Sequence, residues 1–224
     1  MTLKQDIDAF VAQAASRMPT DLVAEVQASI DDAKRSGIEA RALKAGDFAP
    51  AFTLPNAHGA LVSLADFVHS GPVILVFYRG VWCPYCNLEL RAYQQILGEI
   101  RAAGGDLVAI SPQTPDNSLA SIGTNGLEFE VLSDAGAEVA AAFGLAYPVP
   151  AAVRRTTAMF GVDIDQVNGA ADSRLPITAA YVIGMDRRIA LASVDADFRV
   201  RLEPAEALAA LRALSAARPT LAAE

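Results

Sequence analysis

A continuous apolar segment from Val73 to Tyr78 is the feature that most constrains how this chain can fold. A run of β-branched and aromatic residues without polar alternation is typical of a strand that is covered on both faces of a sheet. A helical pattern follows at residues 90–100 and stops at Gly104, and a second apolar segment follows at 106–111. This order of strand, helix and strand predicts a βαβ unit with parallel strands and a right-handed crossover. We therefore expect the segment at Val73 to be a central strand.

Further short elements complete an α/β pattern. Antiparallel hairpins are predicted at 51–63, around an Asn-Ala-His-Gly turn, and at 180–194, around a polar turn. Residues 146–176 lack periodicity and are rich in Pro, Gly and Asp, so we expect a long irregular segment there that could line the site. Together the pattern predicts a mixed sheet covered by helices, with the remaining elements being a strand near 129–132 and helices near 116–122, 137–143 and 203–216.

The first 44 residues carry a helical pattern of their own. Ile7, Phe10 and their neighbours form one apolar face, a second apolar face follows at 22–30, and Pro19 separates the two. An apolar stripe of this kind is typical of a packing or dimerisation element, so a homodimer is one possible assembly. The expected organisation is an N-terminal helical hairpin at residues 1–44, a main domain at 45–217 and a tail at 218–224.

The charge balance argues against two classes of partner. Lys and Arg total 18 against 26 Asp and Glu, a formal charge of -8, which disfavours nonspecific attraction to nucleic acid or to an anionic membrane. No apolar segment approaches the ~20 residues that a membrane-spanning helix needs. The N-terminal residues also lack the apolar core of a signal peptide. These features predict a soluble, cytoplasmic protein.

The two cysteines of the chain lie in the tetrapeptide Cys83-Pro84-Tyr85-Cys86, between the predicted strand and the predicted helix. Unpaired N–H groups and the helix dipole stabilise a thiolate at a helix N-terminus, and Pro84 fits the first turn, where its missing N–H is not needed. Cys86 falls on the apolar stripe of the helix, so its sulfur is expected to point inward and Cys83 to be the more accessible thiol. Trp82 and Tyr85 are interpreted as supporting residues, either in partner docking or in packing.

This pair of thiols suits two kinds of redox chemistry. Cys83 could attack a partner's disulfide, with Cys86 resolving the mixed disulfide. Alternatively, one thiolate could reduce a peroxide, and the second cysteine could condense with the resulting sulfenic acid. Two weaker interpretations are inert buried thiols and a zinc site, for which only His58 and His69 are available as further imidazole ligands, at unusual spacing.

The segment from Tyr78 to Leu90 resembles the active-site segment of peroxiredoxin-like proteins in the alkyl hydroperoxide reductase and thiol-specific antioxidant (AhpC/TSA) family. The resemblance implies a thioredoxin-like fold, reduction of peroxides by cysteine, no metal or organic cofactor, and regeneration by a thioredoxin-type donor or another thiol reductant. It covers roughly residues 45–212 and continues in the family's order at 45–54, 108–114, 131–134 and 180–183.

Several positions depart from the family's usual pattern. In register, Cys86 matches the peroxidatic cysteine, Cys83 takes the place of a Thr, and Arg79 takes the place of a Pro. The family also has an activating Arg just before the strand at 180, where this chain has Thr178. Arg79 is the cation nearest to the cysteines in sequence. The positive charge that favours a thiolate could come from Arg79, Arg154, Arg155 or Arg174.

Three hypotheses for the function follow. The first is a thiol peroxidase that reduces hydrogen peroxide or organic hydroperoxides through Cys83 and Cys86 and is regenerated by a thioredoxin-type donor. The second is a thioredoxin-like protein disulfide reductase with Cys83 as the nucleophile. The third is a redox-responsive interaction protein whose disulfide alters docking through the N-terminal helices or the 146–176 segment.

Overall fold

The protein is described here by a computed structural model that covers residues 2–15, 18–170 and 173–216. The expected tail at 218–224 lies outside the described residues. Within these ranges the strands are β1 (Thr53–Pro55), β2 (Leu61–Ser63), β3 (Val73–Phe77), β4 (Asp106–Ser111), β5 (Glu130–Ser133), β6 (Ala146–Pro148), β7 (Arg174–Pro176), β8 (Thr178–Ile183) and β9 (Ile189–Asp195). The helices are α1 (Leu3–Ala15), α2 (Thr20–Arg35), α3 (Ile38–Arg41), α4 (Leu64–Ser70), α5 (Pro84–Gln95), α6 (Leu97–Ala102), α7 (Pro115–Asn125), α8 (Glu138–Ala142), α9 (Ala151–Met159), α10 (Ile164–Asn168) and α11 (Pro204–Ala216).

The core of the protein is a five-stranded mixed sheet with the strand order β5-β4-β3-β8-β9. Strand β3 is central, as predicted: it pairs in parallel with β4 and antiparallel with β8, and all of its residues are buried. Its side chains alternate between two apolar clusters. Val73, Leu75 and Phe77 pack on the face that also receives α4 and α8. Ile74 and Val76 pack on the opposite face, beneath α5 and α11, where the cysteines lie.

The helix predicted after the cysteines is divided into α5 and α6. Ile96 leaves the helical dihedral angles, with φ -107° and ψ 8°, and its N–H donates to the carbonyl of Tyr93. The apolar stripe nevertheless continues across the break, because Leu90, Leu97 and Ile100 are all buried. Both helices therefore pack on the sheet on either side of the break.

The segment at 146–176 is not irregular as expected. It contains two short helices, α9 and α10, and the two-stranded antiparallel sheet of β6 and β7. These elements are stabilised by a small apolar cluster around Val153, Ile164 and Leu175, against which Trp82 packs. The segment thus lies beside the cysteine pair, but its structure depends on contacts between residues far apart in sequence, which local periodicity does not report.

The predicted N-terminal helices are present and pack on two different parts of the main domain. Helix α1 packs against α5, whereas α2 packs against α9. A third short helix, α3, leads towards the sheet. None of the helices in the described ranges combines the length and the apolar composition that a bilayer-spanning segment requires.

Gly144 marks a close approach between the end of α8 and the end of α3. Its φ is +76°, and a Cβ added there would lie 2.4 Å from the carbonyl oxygen of Arg41. The adjacent residue, Phe143, accepts a hydrogen bond from the N–H of Leu43 at 3.1 Å. The junction between the N-terminal helices and the main domain therefore requires a residue without a side chain.

We expect Gly144→Ala to destabilise the protein more than Gly59→Ala, which is a matched control. Gly59 also has a positive φ, +81°, but an added Cβ would meet nothing within 4 Å. Both changes incur the left-handed backbone cost of about 1–2 kcal/mol, and Gly144→Ala adds a steric cost of about 1–3 kcal/mol. Urea denaturation measures both free energies of unfolding, and equal losses would contradict the close approach.

Candidate active site

The cysteine pair lies where the chain leaves the carboxyl end of β3 and enters α5. Cys83 is the N-cap residue of α5, with an extended φ of -90°, and its N–H donates to the carbonyl of Gly80 at 3.0 Å. Pro84 occupies the start of the helix. The predicted placement of the pair at a strand-to-helix turn is therefore confirmed, and Cys86 lies inside the first turn of the helix.

Both thiols are buried, so Cys83 is not the accessible thiol that the sequence predicts. The exposed fraction is 1% for Cys83 and 0% for Cys86. Both belong to the apolar cluster between the sheet and α5, against which Trp82 and Tyr85 pack. These two aromatic side chains, contributed by the turn itself, bury a helix terminus that would otherwise be open to water.

The sulfur of Cys86 is surrounded by hydrogen-bond donors. It accepts hydrogen bonds from the thiol of Cys83 and from the backbone N–H of Arg79, and Nη2 of Arg201 lies 3.4 Å away. Burial is the largest influence on the pKa of Cys86 and raises it, but the Cys83 hydrogen bond and the charges of Arg201 and Arg79 outweigh burial and hold this pKa well below its ordinary value. Cys86 is therefore set up to be a thiolate.

Cys83 is affected in the opposite direction. Burial, the hydrogen bond that its thiol donates to Cys86, and the negative charge of Cys86 raise the pKa of Cys83 well above its ordinary value. The nearby guanidinium groups of Arg79 and Arg201 only partly offset this. The two sulfurs thus differ in protonation, with a neutral Cys83 donating to an anionic Cys86.

Arg201 is the functional residue that the sequence analysis missed. It lies in the segment between β9 and α11, its side chain is 2% exposed, and its guanidinium pairs with the carboxylate of Glu89. Its Nε also donates to the carbonyl of Phe198 at 3.0 Å. The sequence does contain one indication of such a residue. Glu89 falls one turn after Cys86, beside the apolar stripe of α5, and a buried carboxylate needs a cation from another part of the chain. The sequence does not show which Arg supplies that cation.

Arg79 is buried between two aromatic rings. Its guanidinium carbon lies 4.9 Å from the ring centroid of Trp82 and 4.3 Å from that of Phe198. Its Nε and Nη1 have no hydrogen-bond partner among the described residues, although they are buried. Because a buried donor without a partner is costly, these N–H groups mark a place where a polar ligand would be bound.

The other three arginines considered from the sequence are engaged in ion pairs of their own. Arg154 pairs with Asp165 at 2.7 Å, Arg155 pairs with Glu25, and Arg174 pairs with Glu138 at 2.5 Å. The cations that influence the cysteines are Arg79 and Arg201.

Thr178 holds the segment that carries Arg201. Its hydroxyl hydrogen-bonds to the carbonyls of Asp195, at 3.0 Å, and Val200, at 3.3 Å. The resemblance implies an activating Arg at this position; here a Thr instead anchors the neighbours of a different Arg. Thr178 thus fixes the backbone of the segment that carries Arg201.

The two histidines weighed as zinc ligands are exposed, with His58 in the turn between β1 and β2 and His69 on α4. In the part of the chain that the structure describes, no three metal-ligating side chains come together.

Glu89 has an unusual ionisation because of its position. Burial is the main cause that raises its pKa to about 7, the charge of Cys86 adds to this, and Arg201 opposes it. A carboxyl group that shares a buried cation with a thiolate therefore titrates near neutral pH.

The sheet order, the parallel β3–β4 pair and the cysteines at the turn after β3 define a thioredoxin-like fold. Two solved structures share this fold. Peroxidoxin BcpB of Mycobacterium tuberculosis has a TM-score of 0.61 and 24% identity, and the match covers 77% of this chain and 98% of that one. Peroxiredoxin Q of Xanthomonas campestris has a TM-score of 0.54 and 18% identity, and the match covers 74% of this chain and 90% of that one. The chain belongs to the AhpC/TSA family, whose sequence profile matches residues 45–190.

Curated relatives in this family are named as peroxiredoxins. "Putative peroxiredoxin Rv2521" of Mycobacterium tuberculosis is 41% identical over 102 residues, which is 46% of this chain and 64% of that protein. Peroxiredoxin Bcp of Escherichia coli is 34% identical over 103 residues, which is 46% of this chain and 65% of that protein. The similarity to these relatives thus spans just under two thirds of their length.

We expect Arg201→Ala to raise the pKa of Cys86, because a cation within ~4–6 Å lowers the pKa of an anion by about 1–3 units. The rate of Cys86 alkylation, followed against pH by mass spectrometry, should then reach half its maximum about 1–3 pH units higher. Arg201→Lys keeps the charge and should shift the midpoint less. Arg212→Ala removes an exposed ion pair with Glu99 and serves as the control; an unchanged midpoint in Arg201→Ala would contradict the assignment.

We expect the stability of the wild type to fall relative to that of Glu89→Gln as the pH rises from about 4.5 to about 7. These limits are the ordinary pKa of a Glu carboxyl and the raised pKa of Glu89. In this window the folded protein holds a proton that the unfolded chain has lost, so raising the pH favours unfolding, by up to about 1.4 kcal/mol per pH unit. Denaturation at a series of pH values measures the difference. Glu99→Gln, at an exposed site, is the control, and a pH-independent difference for Glu89→Gln would refute the raised pKa.

Proposed function

We propose that this protein is a thiol peroxidase in which Cys86 reduces hydrogen peroxide or an organic hydroperoxide and Cys83 then forms a disulfide with it. The observation that carries the proposal is the set of donors on the Cys86 sulfur: the Cys83 thiol, the N–H of Arg79 and the guanidinium of Arg201. A thiolate is the nucleophile in this chemistry. Membership of the AhpC/TSA family supports the same assignment.

The unpartnered N–H groups of Arg79 give the peroxide a place to bind. They would donate to its oxygens beside the Cys86 sulfur, and they would stabilise the charge that develops on the leaving oxygen. The thiolate attacks one oxygen, the O–O bond breaks, and the leaving alkoxide or hydroxide takes up a proton to become an alcohol or water. Cys86 is left as a sulfenic acid.

Cys83 completes the oxidative half of the cycle. Its sulfur attacks the sulfenic sulfur of Cys86, the S–O bond breaks, and the thiol proton leaves with the hydroxyl group as water. The two sulfurs together have then given up the two electrons that reduced the peroxide. In the first step a neutral Cys83 does not compete with Cys86 for the peroxide. Once Cys86 has become a neutral sulfenic acid, the negative charge that helps to raise the pKa of Cys83 is gone, so Cys83 becomes easier to ionise for the second step.

Regeneration requires an external thiol reductant. We infer that a thioredoxin-type protein dithiol supplies the two electrons that return the disulfide to two thiols. Such reductants keep thiols reduced in the cytosol, so the cytoplasmic location expected from the sequence forms part of the proposal.

The two other hypotheses are less well supported. A disulfide reductase with Cys83 as the nucleophile needs a reactive and exposed Cys83, whereas this thiol is buried and its pKa is raised. A redox-responsive interaction protein stays a prediction, because it requires a partner that depends on the oxidation state.

The cysteine variants separate the peroxidase from the reductase. We expect Cys86→Ser to reduce peroxide consumption, with dithiothreitol as donor, to the background of a free thiol, because the nucleophile is lost. Without a reductant, Cys83→Ser, which keeps a hydroxyl donor for the Cys86 sulfur, should still consume one equivalent of peroxide and leave a sulfenic acid that dimedone labels at Cys86. Greater damage from Cys83→Ser, with no label at Cys86, would favour the reductase and overturn the proposal.

A further inference from the structure

Four aromatic side chains form a connected group at the turn that carries the cysteine pair, and we call them the aromatic cover: Phe10, Trp82, Tyr85 and Phe198. Trp82 and Tyr85 pack against the cluster that contains both sulfurs. The ring of Phe10 meets Tyr85 edge-on at 5.2 Å, and Tyr85 lies 5.2 Å from Phe198. Phe198 and Trp82 hold the guanidinium of Arg79 between them. Phe10 alone in this set comes from α1, a helix that lies outside the residues matched by the family.

Helix α1 docks on the main domain through a packed face and a cap at its start. Leu3 and Ile7 are buried and Phe10 is half-buried, so one face of the helix rests on α5. At its start, the N–H groups of Leu3 and Lys4 donate to the carboxylate of Glu203 at 3.1 and 2.8 Å. A helix of 13 residues has little stability in water without its packing partner. Undocking α1 therefore breaks the packing of this face and the hydrogen bonds of this cap.

The rest of the aromatic cover is attached more firmly. Trp82 and Tyr85 belong to the turn that carries the cysteines. Phe198 belongs to the segment between β9 and α11, which is tied to Thr178, to Gln27 through Arg199, and to Glu39 through the N–H of Ala196. Among the elements that form the cover, α1 is thus the one that can leave without disturbing Arg201 or the cysteines.

The burial of the sulfurs limits which reductant can react. In thiol–disulfide exchange the attacking sulfur must reach a disulfide sulfur directly. A peroxide or a small thiol can pass between side chains, but the reactive cysteine of a protein is surrounded by its own backbone. With both sulfurs almost fully buried, a protein dithiol needs part of the aromatic cover to move.

We infer that α1 is a removable part of the active site and that Phe10 determines which thiols reduce the Cys83–Cys86 disulfide. With α1 docked, peroxides and small thiols reach the sulfurs; with α1 undocked, a protein dithiol does so as well. Its thiolate attacks one sulfur, the S–S bond breaks and a mixed disulfide forms. The second thiol of the partner then attacks the mixed disulfide, so that two electrons pass to the cysteine pair. The inference rests on the proposed reductive half of the cycle.

The test compares two reductants on protein oxidised with diamide, which forms the disulfide without any peroxidase step. Free thiols are counted after quenching, with dithiothreitol or with a thioredoxin as the reductant. Phe10→Ala should raise about tenfold the ratio of two rate constants for reduction of the disulfide, that with thioredoxin divided by that with dithiothreitol. A tenfold change corresponds to a loss of about 1.4 kcal/mol in the free energy of α1 docking. Phe160→Ala removes the same side chain from a site that is 72% exposed and should leave the ratio unchanged.

A second variant guards against a folding defect in Phe10→Ala. Glu203→Gln weakens the cap of α1 and leaves the aromatic rings in place, and it should raise the same ratio and speed hydrogen exchange at Leu3 and Lys4. An unchanged ratio in both variants, or equal acceleration by both reductants, would overturn the inference. Peroxide consumption in a single turnover, measured separately, decides the peroxidase proposal, so that proposal and the inference about α1 can fail independently. If diamide forms no Cys83–Cys86 disulfide, both are overturned.

Discussion

The negative charge of Cys86 lies where water does not reach, and much of the surrounding structure serves to balance it. An isolated anion in a protein interior carries a cost of several kcal/mol, and the group would normally neutralise itself by taking a proton. Here the sulfur is instead met by the Cys83 thiol, by a backbone N–H and by the guanidinium of Arg201. Arg201 is itself buried, and its charge is balanced by the carboxylate of Glu89. Cys86, Arg201 and Glu89 therefore form a group of three ionisable side chains on and beside α5.

The segment between β9 and α11 connects this group to the rest of the molecule. It carries Arg201 to the sulfur and Phe198 to the guanidinium of Arg79. Thr178 anchors its backbone from the central sheet, and Glu203 at its end caps the first helix. A displacement of this segment would therefore change the charge around Cys86 and the docking of the N-terminal helix together, because Arg201 and Glu203 lie two positions apart on it.

The two cysteine pKa values shift in opposite directions, and one contact contributes to both shifts. The hydrogen bond from Cys83 to Cys86 favours the anionic form of Cys86 and the thiol form of Cys83. Burial is the largest cause that raises the pKa of Cys83, and the charges of Arg201 and Arg79 help to lower that of Cys86. The pair lies between a fully buried central strand, β3, and the first turn of α5. Two cysteines three positions apart in sequence thus have pKa values that shift in opposite directions.

The sequence alone determined the parts of the structure that depend on local patterns. The buried run at Val73 and the apolar stripe that follows it predicted the βαβ unit, and Pro84 placed the cysteines at a helix N-terminus. These patterns can be read locally, because strands and helix stripes repeat every two to four residues and a helix cap involves only neighbouring residues. The same patterns did not predict the short helices and strands within 146–176, which are stabilised by packing against Trp82.

Only the tertiary structure decided the chemistry of the two thiols. From the sequence, the helix terminus was expected to be open to water and Cys83 to be the more accessible thiol, with the choice of nucleophile left open. In the structure both cysteines are buried, and Trp82 and Tyr85 pack against their cluster. The cations considered from the sequence were close to the pair or in a segment expected to line the site, whereas the decisive guanidinium is 115 residues from Cys86. Charge and burial act through space, so the pKa values of the pair depend on chain segments that meet only in the folded protein.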